Sequence, residues 1–121
     1  MSTTSTTTAG ADVLRRSVQA RDAEAIADLY HADATIEIVD AVNSPSRPRR
    51  LTGRGEIEAH LRDLYARDMR HEVDLAVGSP DALAYAVRCA YPDGTRVLCS
   101  AIGELREGRI AREVVVQAWD A

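Results

Sequence analysis

Phenylalanine is absent from this sequence of 121 residues, tryptophan occurs once and tyrosine four times. Any core must be built from Val, Leu, Ile and Ala. Alanine fills volume poorly, so a residual cavity is expected. Cysteine occurs only twice, as Cys89 and Cys99. Two cysteines in apolar surroundings, with no secretory leader ahead of them, read as buried reduced thiols. No apolar run approaches the length of a membrane span. The opening MSTTSTTTAG has neither a basic start nor an apolar stretch, so it does not read as a signal peptide or anchor. It is expected as a disordered Ser/Thr-rich tail over residues 1–10, ahead of a single domain over 11–121. A cytoplasmic location follows as an expectation. The net charge of −4 argues against non-specific nucleic-acid binding. The short GRG at residues 53–55 lacks the length and the lysine of a phosphate loop. Three histidines on separate elements lack metal-ligand spacing, so neither a metal nor another cofactor is expected.

What is present is ordinary for a soluble globular domain: 45% hydrophobic and 28% charged residues, enough for one core. ADVLRRSVQARD carries Val13, Leu14 and Val18 near helical spacing, with Asp12 able to cap its start. RDAEAIADLYHAD follows at once, with Asp22 as a second cap and Ala23, Ile26, Leu29 and Tyr30 on one stripe. In ATIEIVDAV the period switches to two and predicts a strand. NSPSRPRR breaks it as an exposed loop. LTGRGEIEAHLRDLYARDM reads as a strand end and a third helix with Ile57, His60, Leu61 and Leu64 on its inner face. Only strands follow: HEVDLAVG, ALAYAVRCAY, RVLCSAIGELR and IAREVVVQAWD, the last two joined by an EGR turn. The order predicts an α+β domain with helices on one face of a mainly antiparallel sheet.

Asp93-Gly94 suits a two-residue hairpin turn. That turn places Arg88 opposite Cys99, Ala90 opposite Val97 and Ala86 opposite Ala101, all on one face. Cys89 then points to the other face, which disfavours a Cys89–Cys99 disulfide. Both faces carry apolar residues. If one packs on the helices, the other is expected to meet a second copy of the chain, as a homodimer through the outer sheet face.

DAEAIADLYHADATIEI, TGRGEIEAHL and PDGTRVLCSAIGELREGRIAREVVVQAW resemble the nuclear transport factor 2-like superfamily, nearest to its ketosteroid isomerase-like and SnoaL-like members. The resemblance spans about Val13 to Trp119. It implies a cone: a strongly curved sheet, the cystatin-like roll, closed around a pocket by three helices. It also implies where chemistry would sit. The isomerase tyrosine falls at Leu14, its general-base aspartate at Ile38 and its protonated aspartate at Ala101. Each such group contributes a few kcal/mol, so losing all of them abolishes that mechanism. The cyclase acid–base aspartate falls near Val115, and the Arg-x-Asp pair of limonene epoxide hydrolases falls at Arg88 and Ala90.

The same alignment leaves polar side chains facing the pocket. His60, Arg88, Cys99, Glu113 and Gln117 fall inward, among an apolar wall of Leu14, Val18, Ile38, Ala86, Ala101 and Val115. Arg88 and Glu113 are expected to pair, because an unpaired buried charge costs several kcal/mol. His60 or Glu113 would then be the acid or base, with Arg88 as a clamp for an enolate or carboxylate. Plainer roles stand beside these. His60 can be a packed or rim residue, Arg88–Glu113 a structural ion pair, Gln117 a cap at the mouth and Cys99 a small hydrophobe. His71 can face the pocket or the rim. The expected function is binding of a small apolar or partly oxidised molecule, with isomerase-, cyclase- or dehydratase-like turnover. The alternative is a non-catalytic binding or assembly module.

Overall fold

A computed structural model describes residues 9–120. Helix α1 (Ala11–Gln19) buries Leu14, Ser17 and Val18 on one side. Its N-cap is Gly10 rather than Asp12, which lies inside the first turn and complements the helix dipole there. Helix α2 (Ala23–Ala27) is capped as the sequence suggests: the Ala25 N–H donates to Asp22 Oδ1 at 3.0 Å. Between them Arg21 adopts a φ of 56°. Its guanidinium donates to the carbonyls of Tyr65 (2.9 Å), Arg67 (2.6 Å) and Met69 (2.5 Å). That fork fastens the corner to the end of the third helix, α3 (Arg54–Ala66). Residues 1–8 of the expected tail lie outside the described residues. Ala9 is buried, and its N–H donates to the Gly108 carbonyl at 2.7 Å.

Among the described residues six strands form one sheet: β1 (Tyr30–Val39), β2 (Arg49–Thr52), β3 (Arg70–Gly78), β4 (Ala82–Ala90), β5 (Arg96–Arg106) and β6 (Arg109–Trp119). Their order is β2-β1-β6-β5-β4-β3. Only β1–β6 is parallel. The basic stretch is not all loop, since Arg49 and Arg50 already pair with Ile38 and Glu37 on β1. Register shifts interrupt the ladder in β1, in β3 and in β6, where Ala111 is the extra residue opposite Glu104 and Leu105. Such bulges sharpen the local twist, in keeping with a curved, unclosed sheet. The helices fill its concave side, and the core cluster runs between them.

The bulge in β3 explains a phase change in that strand. His71 pairs with Cys89 and Val73 with Val87, but Leu75 pairs with Ala86, so Asp74 is the extra residue. Val73 therefore points into the core, whereas Leu75 and Val77 are 69% and 67% exposed. Alternation read straight through HEVDLAVG puts His71, Val73, Leu75 and Val77 on one side, which the backbone does not do.

The central hairpin departs from expectation by one residue. Arg88 pairs with Leu98, Val87 with Cys99 and Tyr85 with Ala101. The Tyr91 N–H donates to Thr95 O at 2.9 Å and the Gly94 N–H to Tyr91 O at 3.0 Å, with Gly94 at a φ of +93°. The loop is thus the three residues Pro92-Asp93-Gly94, a tight turn followed by a left-handed glycine. Proline explains the choice: a two-residue turn makes Pro92 part of the closing pair, where it has no N–H to give. A one-residue change in register turns every side chain of the strand over. Two-residue turn geometry occurs instead at Glu107-Gly108, where both φ values are positive (55° and 78°).

Candidate functional site

The concave face and the helices enclose a cavity of about 220 Å³. Its wall is built from Leu14 and Val18 of α1, Tyr30, Ile36 and Ile38 of β1, and His60, Leu61 and Tyr65 of α3. The far side is formed by Tyr85, Val87 and Cys89 of β4, Cys99 and Ala101 of β5, and Glu113, Val115 and Gln117 of β6.

Among the described residues, Glu113 is the one charged residue buried with the core, at 1% exposure. Its two oxygens are held separately. The Tyr30 hydroxyl donates to Oε1 at 2.6 Å, and the Tyr85 hydroxyl to Oε2 at 2.7 Å. Burial drives the Glu113 pKa up from the ordinary carboxylate range, and the two hydroxyls oppose that rise. Burial and the neighbouring carboxylate push both tyrosines well above their usual value, so their hydroxyls remain proton donors. A carboxyl with a raised pKa between two phenols, in an apolar cavity, can hold or release a proton where bulk water cannot compete.

His60 lines the cavity from α3. Its pKa is lowered, first by burial and then by the charges of Arg49 and Arg67, against the opposing pull of Asp63. The imidazole is therefore biased to its neutral form, which can accept a proton.

Arg88 does not join this site. The shifted register turns it to the outer face, where it pairs with Asp74 at 3.0 Å and its side chain is 62% exposed. The expected Arg88–Glu113 ion pair is thereby overturned; two neutral tyrosines replace the guanidinium. Ala86, opposite Ser100, turns outward by the same shift and is absent from the cavity wall. Of the other anticipated residues, Leu14, Val18, Ile38, His60, Cys99, Ala101, Glu113, Val115 and Gln117 all lie on that wall. Cys89 and Cys99 share the inner face instead of opposing faces, and both thiols are free. His71, opposite Cys89, faces inward as well.

Tyr30 is expected packed between helix and sheet with its hydroxyl tethered, as it is, but neither it nor Tyr85 is expected at the site. Tyr30 carries the signal of an inner-stripe position, and its hydroxyl requires a partner when buried. Tyr85 is hidden by the register of a two-residue turn, against which the proline before Asp93-Gly94 is the available signal. Among the described residues no cluster of His, Cys, Asp and Glu could hold a metal ion.

A curved open sheet closed by three helices around an apolar cavity with a few ionisable groups defines the nuclear transport factor 2-like class of fold. Within it, residues 12–113 match the SnoaL-like domain model, so the chain belongs to the SnoaL-like domain family. A nuclear transport factor 2-like protein of unknown function from Mesorhizobium loti is similar, with a TM-score of 0.74, 20% identity and 88% of each chain covered. A candidate ketosteroid isomerase from Kribbella flavida gives 0.72 at 20% identity, over 91% of this chain and 75% of that one. IdmH, a candidate polyketide cyclase from Streptomyces antibioticus, gives 0.62 at 21% identity, over 88% and 87% of the two chains. These likenesses concern the fold. No curated protein matches the sequence. No helix among the described residues is long and apolar enough to cross a membrane.

Proposed function

We propose that the chain binds a small, mainly apolar carbonyl compound and turns it over by proton transfer, as an isomerase, cyclase or dehydratase does. The observation that carries this reading is Glu113: a wholly buried carboxyl on a cavity wall, with a raised pKa and only tyrosine hydroxyls as partners. A carbonyl oxygen seated against Tyr30 or Tyr85 takes one of the hydroxyl donors from Glu113. That donor then stabilises negative charge as an enolate forms, and the released carboxyl oxygen is free to move a proton. Neutral His60 supplies a second base on the opposite wall. The cavity of about 220 Å³ lies at the small end for ligand sites, which favours molecules of one or two rings.

The experiment is a thermal-shift screen of small ketones, lactones and steroids, followed by deuterium exchange of each hit's α-hydrogens in heavy water. Hits among compact ketones with exchange that Glu113→Gln removes support the reading. Binding without exchange supports the second reading, a non-catalytic binding module. One observation favours that alternative: both Glu113 oxygens are already satisfied by the protein. Absence of any hit removes both. We also take the protein to be a cytoplasmic homodimer joined through the outer sheet face. The apolar residues exposed there support the dimer, and the two free thiols support the compartment.

A further inference from the structure

Next to the Glu113 cluster, and using none of its residues, strands β3 to β5 set a second group of reactive side chains into the cavity wall. Cross-strand pairing of His71 with Cys89 brings the imidazole Nδ1 to 3.4 Å from Cys89 Sγ. Cys99 stands on the same face one diagonal step away, opposite Val87. Tyr65 of α3 packs its ring on His71, with centroids 4.6 Å apart and planes tilted by 52°. All four side chains line the cavity. His71 Nε2 is the one buried side-chain nitrogen or oxygen among the described residues that has no hydrogen-bond partner. Leaving such an atom unpaired is costly, and a bound molecule with an oxygen atom would relieve that cost.

We propose that Cys89 and His71 form a thiol-addition dyad that covalently captures α,β-unsaturated carbonyl compounds entering the cavity. His71 Nδ1 takes the proton of the Cys89 thiol. The sulfur attacks the β-carbon and a C–S bond forms. The π pair of the C=C bond moves toward the carbonyl and gives an enolate, whose oxygen can accept from the unpartnered Nε2–H. The α-carbon then takes back the proton held on Nδ1. The S–H has been added across the double bond, nothing leaves, and no oxidant or cofactor is consumed.

The contact with His71 Nδ1 at 3.4 Å identifies Cys89 as the nucleophile. The Cys99 thiol and His71 hold the Cys89 pKa down against the opposing effect of burial. The same contact, with burial, pushes Cys99 up, so Cys99 remains a thiol that can donate to its neighbour. The groups facing Cys89 are His71 from β3, Cys99 from β5 and Tyr65 from α3. Cys99 is thus a positioning residue. The inference goes beyond the proposed function and needs only an open cavity, not Glu113.

The test uses 2-cyclohexen-1-one as probe, saturated cyclohexanone as control and intact-protein mass spectrometry as readout. The full chain is expected to gain one covalent adduct, mapped to Cys89 by peptide sequencing, and none with the saturated ketone. Below neutral pH its rate should exceed that of glutathione about tenfold or more, because glutathione is then almost wholly protonated. Cys89→Ser should abolish the adduct. Loss of the base in His71→Gln should slow it about a hundredfold and shift the rate–pH profile upward, whereas Cys99→Ser should shift the profile and keep the adduct. Glu113→Gln should lose α-hydrogen exchange yet keep adduct formation, which separates this inference from the proton-transfer reading. Modification mainly at Cys99, or a wild-type rate no faster than glutathione, would overturn it. So would the absence of an adduct when both thiols react after unfolding; these wild-type outcomes do not depend on any variant folding.

Discussion

Tyr30 and Tyr85 reach Glu113 from different strands and bond different oxygens of its carboxyl, at 2.6 and 2.7 Å. The arrangement solves a desolvation problem without a cation. Hydrogen bonds to a charged group are each worth about 1.5–3 kcal/mol. Tyr85→Phe or Tyr30→Phe should therefore destabilise the fold by about that amount and raise the Glu113 pKa further, since a stabiliser of the ionised form is lost. Chemical denaturation combined with carboxyl-region infrared titration measures both effects. An unchanged pKa in both variants would show that burial alone sets it.

Stability should depend on pH through Glu113 with a defined sign. Its folded pKa lies above the unfolded value, so the native state binds more protons between the two. Stability from this group falls as pH rises from the ordinary carboxylate range through the folded pKa, and is flat above it. The difference between wild type and Glu113→Gln, followed by denaturation midpoints across pH, should show that slope. A difference that does not vary with pH contradicts the assignment.

His60 acts in the other direction. Its folded pKa is depressed below the unfolded value by burial, Arg49 and Arg67. The unfolded state therefore binds the proton first as pH falls. Stability contributed by neutral His60 is complete above the unfolded pKa and is lost as pH drops toward the folded one. His60→Gln should lessen the acid sensitivity of the fold below about pH 6.5. Histidine proton shifts in nuclear magnetic resonance give the pKa directly.

Arg88 should prove dispensable. Its pair with Asp74 is exposed on both sides, and such pairs contribute about 0–1 kcal/mol. Arg88→Ala should change stability by less than about 1 kcal/mol and leave ligand binding and exchange intact. Loss of binding would restore the clamp role that the sequence suggested.

Two glycines should respond with opposite signs. Gly94 sits at a φ of +93° in the hairpin, so alanine there should cost about 1 kcal/mol or more although the space is open. Gly55 lies inside α3, and a methyl group added there would meet nothing within 4 Å, so Gly55→Ala should stabilise by about 0.5–1 kcal/mol. Urea denaturation of the two variants measures both.

The proposed dimer is tested on the outer face. Ile102 is 66% exposed and Val116 49%, on adjacent strands of the sheet. Ile102→Asp should yield a monomer by sedimentation, with the fold retained in circular dichroism. A wild-type chain that sediments as a monomer at micromolar concentration removes the dimer.

The order of elements, the cap at Asp22 and the inner stripe of α3 were legible before any strand paired. These follow from local signals: the apolar period, the capping residues and the turn residues each act within a few positions. The resemblance to the nuclear transport factor 2-like superfamily supplied the family of the fold and put Glu113 inside. What Glu113 meets is fixed by strand pairing. One proline before Asp93-Gly94 lengthened the turn by a residue, which turned Arg88 out and Tyr85, Val87 and Cys89 in. The bulge at Asp74 reversed the end of β3. Strand facing has a period of two, so a single-residue difference in a turn or bulge inverts it while leaving the composition of the strand unchanged. Chemistry in this cavity depends on facing, and facing is fixed only when the strands pair.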